Sequence, residues 1–232
     1  MRRIKTLAIQ NCSIEGFGLY EKYLKLNGAY LTQIHPYRDN DFPAIDEFDL
    51  VIIGGTPLSA NATHEYPFLQ RETDLLKEAL DLDKYCMGIC FGAQILARIL
   101  GASISKCPHM EIGNYEVELT KSGSSDTILD GFPSKFPVFQ WHGDTFQIPP
   151  QGNLLAEGAE CKNQMFRYGG VLGIQFHLET TCKEAAIWAG NYSEELIESG
   201  KSLDEILVEC GRRENEREIL AELLISNLLR EI

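Results

Sequence analysis

Several functional classes are excluded by what this chain does not contain. Its seven cysteines include no C-x-x-C pair, so neither a zinc ribbon nor a thioredoxin-type redox motif is present. No apolar run approaches the ~20 residues needed to span a bilayer. No stripe of Lys and Arg stands out: acidic residues outnumber basic ones by 34 to 21, the formal net charge is -13, and GRRENEREI mixes signs. A nucleic-acid binder shows the opposite balance, so neither nucleic acid nor membrane is expected as a partner. There is no phosphate-cradling G-x-x-x-x-G-K-[ST], no internal repeat and no low-complexity tract. The opening, MRRIKTLAIQNCS, is basic, but its apolar run breaks at Gln10 and Asn11. It reads as a first strand rather than a secretory leader, and a cytoplasmic protein is expected. Cys12, Cys86, Cys90, Cys107, Cys161, Cys182 and Cys210 are then expected to be reduced, most of them buried as small apolar groups.

What is present describes an ordinary globular chain. With 232 residues, 44% hydrophobic and 24% charged, it has the length for one large domain over 1–232. In the first half, strand-like and helix-like segments alternate. Residues 4–10, AYLTQIHPY, 49–55 and KYCMGIC read as strands. Residues 16–27, YPFLQRETDLLKEALDL and FGAQILARILG read as amphipathic helices. This alternation predicts a parallel sheet with right-handed crossovers. The second half holds short segments (EIGNYEVELT, VFQWHGDTFQI, NLLAEGAE, QMFRYGG, VLGIQFHLE) broken by Gly, Pro and Asn, which read as added, partly antiparallel strands. Residues 183–198 and 203–230 are helical. Ile219, Leu220, Leu223, Leu224, Leu228 and Leu229 form an apolar stripe, expected to pack on the sheet, with a partner groove as the alternative. The expected architecture is α/β: three layers with a mostly parallel, flavodoxin-like central sheet, added antiparallel strands and C-terminal helices.

The stretch GICFGAQ puts Cys90 between Gly88 and Gly92 where a strand turns into a helix. Such an elbow lifts the sulfur out at the carboxyl end of its strand, where open α/β sheets bind ligands. The glycines are expected to allow a strained backbone and close substrate approach. The helix N-terminus is expected to lower the thiol pKa, and the Phe91 amide is free to hold a developing oxyanion. His177 ends an apolar strand candidate, with Glu179 two residues on, and residues i and i+2 of a strand face one side. An imidazole and the carboxylate that orients it would then share one strand end. Alone, H-x-E is a weak motif and fits a surface histidine beside an unrelated acid. Gly54-Gly55-Thr56-Pro57 closes another strand. It reads as a plain β-turn in isolation and as a second oxyanion donor beside an elbow cysteine.

Taken in register, GGTPLSA, GICFGAQILARILG, QWHGDTF and GIQFHLE resemble the class I glutamine amidotransferases. They look most like the glutaminase domain of GMP synthase and its stand-alone relatives. The likeness covers about residues 4–180, the expected catalytic core, with 181–232 as a helical extension. The resemblance implies Cys90 as nucleophile, His177 as general base and Glu179 as its orienting acid. It implies Gly55 or Thr56 with Phe91 as the backbone oxyanion hole, and Gln94 as a side chain that holds the glutamine substrate. His142, Gly143 and Asp144 would line the site for the amino-acid end of the substrate. Leu178 stands where the family often has proline. The implied reaction is hydrolysis of the glutamine side-chain amide through a Cys γ-glutamyl thioester, with no metal and no organic cofactor. Ammonia, if used, would pass to a separate synthase or synthetase polypeptide. Two alternatives stay open: a stand-alone hydrolase of γ-glutamyl peptides or conjugates, and a non-catalytic regulatory subunit on the same fold. SKCPHMEIGN, 105–114, is expected at the pocket rim. Cys107 and His109 within it are read as incidental rather than metal ligands, because no further ligand pair stands at metal-site spacing.

Overall fold

The computed structural model describes residues 3–232; Met1 and Arg2 of the basic opening lie outside the described residues. The chain runs β1 (Lys5–Ile9), α1 (Gly18–Leu26), β2 (Tyr30–Ile34), α2 (Pro36–Asp39), β3 (Leu50–Ile53), α3 (Pro67–Asp81), β4 (Tyr85–Ile89) and α4 (Phe91–Ile99). It continues with β5 (Ile104–Leu119), β6 (Lys135–Phe146), β7 (Asn153–Glu157), β8 (Asn163–Tyr168) and β9 (Val171–Ile174). Three helices close it: α5 (Cys182–Asn191), α6 (Ser193–Glu198) and α7 (Leu203–Glu231). The sheet order is β2-β1-β3-β4-β9-β8-β7-β5-β6. The first five strands pair in parallel, in the doubly-wound order of flavodoxin-like folds, and the remaining pairings are antiparallel.

Burial explains why the parallel strands read as unbroken apolar runs. Every residue of β3 is buried, and its two faces feed two separate cores. Val51 and Ile53 join Leu7, Ile9, Cys86 and the apolar faces of α3 and α4. Leu50 and Ile52 face the opposite layer with Ala8, Met87, Leu24 of α1, and Leu220, Leu224 and Leu228 of α7. A third cluster joins Ile112, Phe139 and Trp141 to Ala185 and Trp188 of α5 and to Ile206 and Cys210 of α7.

The helical tail is therefore built into the core. Its buried stripe runs through Arg217, Leu220, Ala221, Leu224, Ile225 and Leu228. Ile219, expected within the stripe, is 60% exposed instead. Capping boxes start α5 and α7: Thr181 with Glu184, and Ser202 with Glu205. Among the described residues, no helix is long and apolar enough to cross a membrane.

Candidate active site

β4 ends at Ile89 and α4 begins at Phe91, which leaves one residue to make the corner. That residue, Cys90, has φ 51° and ψ -108°, a conformation costing of order 1–3 kcal/mol for a residue with a side chain. The surroundings hold it there. The Cys90 amide donates to Ile174 O at 2.7 Å, and its carbonyl accepts the Gln94 amide at 3.1 Å.

The two glycines have a packing role that the sequence did not reveal. A Cβ on Gly88 would stand 2.2 Å from Gly92 O, and one on Gly92 would stand 2.2 Å from Ile53 O. They are small so that β4, α4 and β3 can cross at the elbow. The Cys90 side chain is 7% exposed and opens on a pocket of about 150 Å³.

His177 and Glu179 are brought to the back of this sulfur, though not by a strand end. β9 stops at Ile174, and 175–179 form bends. An isolated antiparallel bridge to Phe139 of β6 sets the position of His177. Its two hydrogen bonds are His177 N to Phe139 O at 2.8 Å and Phe139 N to His177 O at 3.1 Å. The i, i+2 expectation thus reached the right pair by the wrong geometry. His177 Nδ1 is 2.5 Å from Glu179 Oε1, and the ring stands edge-on to Trp188, with centroids 4.8 Å apart. On its other side the imidazole is close enough to the Cys90 thiol for each to shift the other's pKa, but Nε2 makes no hydrogen bond and the Cys90 thiol points instead to Trp141 O, at 3.8 Å. Leu178, between the two, is fully buried in the sheet–α7 core. An apolar side chain there anchors the segment from behind.

Electrostatics correct a second expectation. Burial pushes the Cys90 thiol above its ordinary value, and the neighbouring Glu15 carboxylate adds to the rise. His177 and the Phe91 amide pull the other way without prevailing. The helix N-terminus therefore does not by itself yield a thiolate in this pocket. For His177, burial opposes the charge, but the Glu179 carboxylate and the Cys90 sulfur outweigh it and raise the imidazole well above its usual value.

The other residues named from the sequence lie around the pocket with differing roles. Gly55 and Thr56 follow the end of β3, and Thr56 and Phe91 line the cavity. A Cβ on Gly55 would be 3.8 Å from Cys90 Cβ and 2.1 Å from Glu15 Oε2. Gln94 Nε2 donates to Asp144 O at 3.1 Å and to Gln175 Oε1 at 3.2 Å. Its amide group thus braces the β6 wall. Asp144 accepts the Ser59 hydroxyl at 2.9 Å and pairs with Lys106 at 2.6 Å. His142, Gly143 and Asp144 all line the pocket, as expected; the His142 ring is buried, with Nε2 3.0 Å from Glu111 Oε2. Lys106 and Met110 line the rim, as expected of SKCPHMEIGN.

Sequence reasoning missed Glu15, Gln175, Trp188, Tyr192 and Glu195. Tyr192 donates to Glu15 Oε1 at 2.6 Å, Trp141 donates to Glu195 Oε2 at 2.7 Å, and Gln175 Nε2 lies 3.6 Å from Cys90 Sγ. Glu15 was findable as an acid in the loop after β1, at the switch point where such sheets bind ligands. The α5 and α6 residues carried no local signal.

Comparison with known proteins agrees with this geometry. The family model described as glutamine amidotransferase class-I matches residues 19–187. The chain is similar to the glutamine amidotransferase-like protein YfeJ of Salmonella typhimurium, 33% identical over 174 residues, 73% of each chain. It is 30% identical over 169 residues to a subunit of the glutamine-hydrolyzing GMP synthase of Sulfurisphaera tokodaii, covering 72% of this chain and 83% of that one. Among solved structures, a glutamine amidotransferase from Thermotoga maritima superimposes with a TM-score of 0.91 at 29% identity, over 99% of both chains. The family model runs from α1 into α5 and takes in both the elbow and the histidine segment, and on that extent the chain belongs to the class I glutamine amidotransferase family.

Proposed function

We propose that this chain hydrolyses the side-chain amide of glutamine through a γ-glutamyl thioester on Cys90. The observation that carries the reading is the line from Glu179 through His177 to a strained cysteine at the floor of a pocket. In the proposed sequence His177 in its neutral form takes the thiol proton as sulfur attacks the amide carbon, and the Glu179 carboxylate beside it favours the imidazolium that results. The oxyanion is held by the Phe91 amide and by that of Gly55 or Thr56. The imidazolium then gives its proton to the departing nitrogen, the C–N bond breaks and ammonia leaves. Water, deprotonated by His177, attacks the thioester; the C–S bond breaks, the thiol regains its proton and glutamate is released.

The size of the pocket favours glutamine over a longer γ-glutamyl conjugate: about 150 Å³ falls below the ~300–1,000 Å³ of sites for larger ligands. Transfer of the ammonia to a separate synthase polypeptide is supported by the relatives named as GMP synthase subunits.

The test is a panel of glutamine, γ-glutamyl amides and γ-glutamyl peptides, assayed for ammonia and glutamate with and without Cys90→Ala. The expected outcome is glutamine turnover abolished in the variant, with an unchanged circular dichroism spectrum. Turnover near wild type in Cys90→Ala would remove the assignment. Fast peptide cleavage with negligible glutamine turnover would transfer it to the γ-glutamyl hydrolase reading.

A further inference from the structure

Behind the pocket wall, the pairing of β5 with β6 breaks. Lys106 pairs with Asp144 and Glu111 with His142, so four residues, Cys107 to Met110, lie opposite Gly143 alone. Pro108 has no N–H for a ladder, and a bulge of this kind re-aims the side chains it carries. Here it turns Cys107 inward. Its Sγ lies 2.7 Å from Cys161 Sγ, in the turn between β7 and β8, and 3.6 Å from His142 Nδ1. The three donor atoms all lie within 4.8 Å of one another. The ligands that sequence spacing could not pair with Cys107 come from two other segments, and His109 is not among them.

The surroundings of the histidine argue for a cation. His142 Nε2 faces Glu111 Oε2 at 3.0 Å, and that carboxylate is steadied by Gln164 Nε2, also at 3.0 Å. Gln164 Nε2 reaches Cys161 O at 2.9 Å, which ties the carboxylate to the turn bearing the second thiol. A metal-ligating histidine usually hands its other nitrogen to a carboxylate, and Glu111 stands within reach of that role, although Nε2 is not aligned for a hydrogen bond here.

We propose that Cys107, Cys161 and His142 form a zinc site, with Glu111 orienting the histidine. Two thiolates and an imidazole are a zinc donor set, and three protein ligands leave a fourth position for water. Binding releases the two thiol protons. With Zn–S ~2.3 Å and Zn–N ~2.0 Å, tetrahedral geometry needs S···N of ~3.5 Å, close to the distance present, and S···S of ~3.8 Å, so the sulfurs must part by about 1 Å. Cys107 is half-buried, which gives the ion an entry path and the side chain room to turn. His142 Nδ1 also lies 3.0 Å from the Asp144 carbonyl that Gln94 holds, so ligation gives up that contact and places the ring proton on Nε2, facing Glu111; the site would then clamp the β5 bulge, β6 and the β7–β8 turn together.

The experiment uses fully reduced, metal-stripped protein titrated with Co²⁺ and then Zn²⁺, and its readout is independent of glutamine turnover. Expected are one equivalent of cobalt with thiolate-to-cobalt charge-transfer absorption, displacement by zinc, and a zinc-dependent rise in Tm. Cys107→Ser and Cys161→Ser should each weaken binding by at least ~100-fold, and Glu111→Gln by ~10–100-fold. Cys107→Ser, at the half-buried position, keeps the test valid if the Cys161 variant does not fold. No charge-transfer band in reduced wild type, equal affinity in the Cys107 variant, or a Cys107–Cys161 disulfide in protein that binds no cobalt after reduction would each overturn the proposal.

Discussion

Glu15 lies against Gly55 and is held by the Tyr192 hydroxyl, and burial raises its own pKa despite that bond. Its charge opposes formation of the Cys90 thiolate. Because burial raises the thiol pKa, Cys90 alkylation in wild type should be slower at neutral pH than that of a free cysteine and should climb with pH. Glu15→Gln removes the opposing charge, lowers the thiol pKa and should speed labelling by iodoacetamide near neutral pH. The sign is conditional on Glu15 being ionised: the gain belongs above the pKa of Glu15 and should fade below it, where the wild-type carboxyl is already neutral. Labelling rates against pH for the two proteins test this. Superimposable profiles would mean that Glu15 carries no charge when Cys90 ionises.

At the scale of elements, the elbow works because three backbones meet with no side chains between them. Gly92→Ala drives a Cβ to 2.2 Å from the Ile53 carbonyl, a backbone atom of β3 that cannot turn aside. We expect a loss of ~1–3 kcal/mol or more in denaturant unfolding, together with slower Cys90 labelling as α4 shifts. Gly143→Ala is the contrast: its Cβ would meet only the flexible end of Met110, at 3.3 Å. Its stability should stay within ~0.5 kcal/mol of wild type, the range of tolerated substitutions. Similar losses in both variants would refute the crossing-backbone account. The same scale holds the isolated bridge at His177. Two hydrogen bonds to Phe139 do what a continuing β9 would have done, and they let the chain bend so that Glu179 follows its histidine.

Across the whole molecule, α7 supports the site from a distance. Leu220, Leu224 and Leu228 share a core with Phe176 and Leu178, the residues on either side of His177. Arg217 is fully buried, donates to Asn114 and to the Cys210 carbonyl, and lies over the Phe139 ring. Leu224→Ala should cost ~2–5 kcal/mol, as buried leucine truncations do. Ile219→Ala, at a position 60% exposed, should stay within ~0.5 kcal/mol. Urea unfolding of both variants decides between core packing and the partner-groove alternative. A negligible loss for Leu224→Ala would favour the groove.

Element types, their order and the Cys90 elbow could be read from the chain alone, because they rest on short-range patterns: apolar periodicity, glycine at corners, apolar runs for doubly covered strands. The H-x-E pair was legible because its two members are close in sequence. Tertiary structure alone decided that the helical tail lies inside the core and that an α5 tryptophan stands against the histidine. It also decided that Glu15 meets Tyr192 from 177 residues away, and that Cys107 meets Cys161 across 54. Nothing local encodes such meetings. They follow from the register of β5 on β6 and the docking of α5 and α7, set by burial of apolar surface summed over the whole fold. The thiol pKa belongs with them: the helix dipole is written at the elbow, but the burial and the neighbouring carboxylate that override it exist only once the chain is folded.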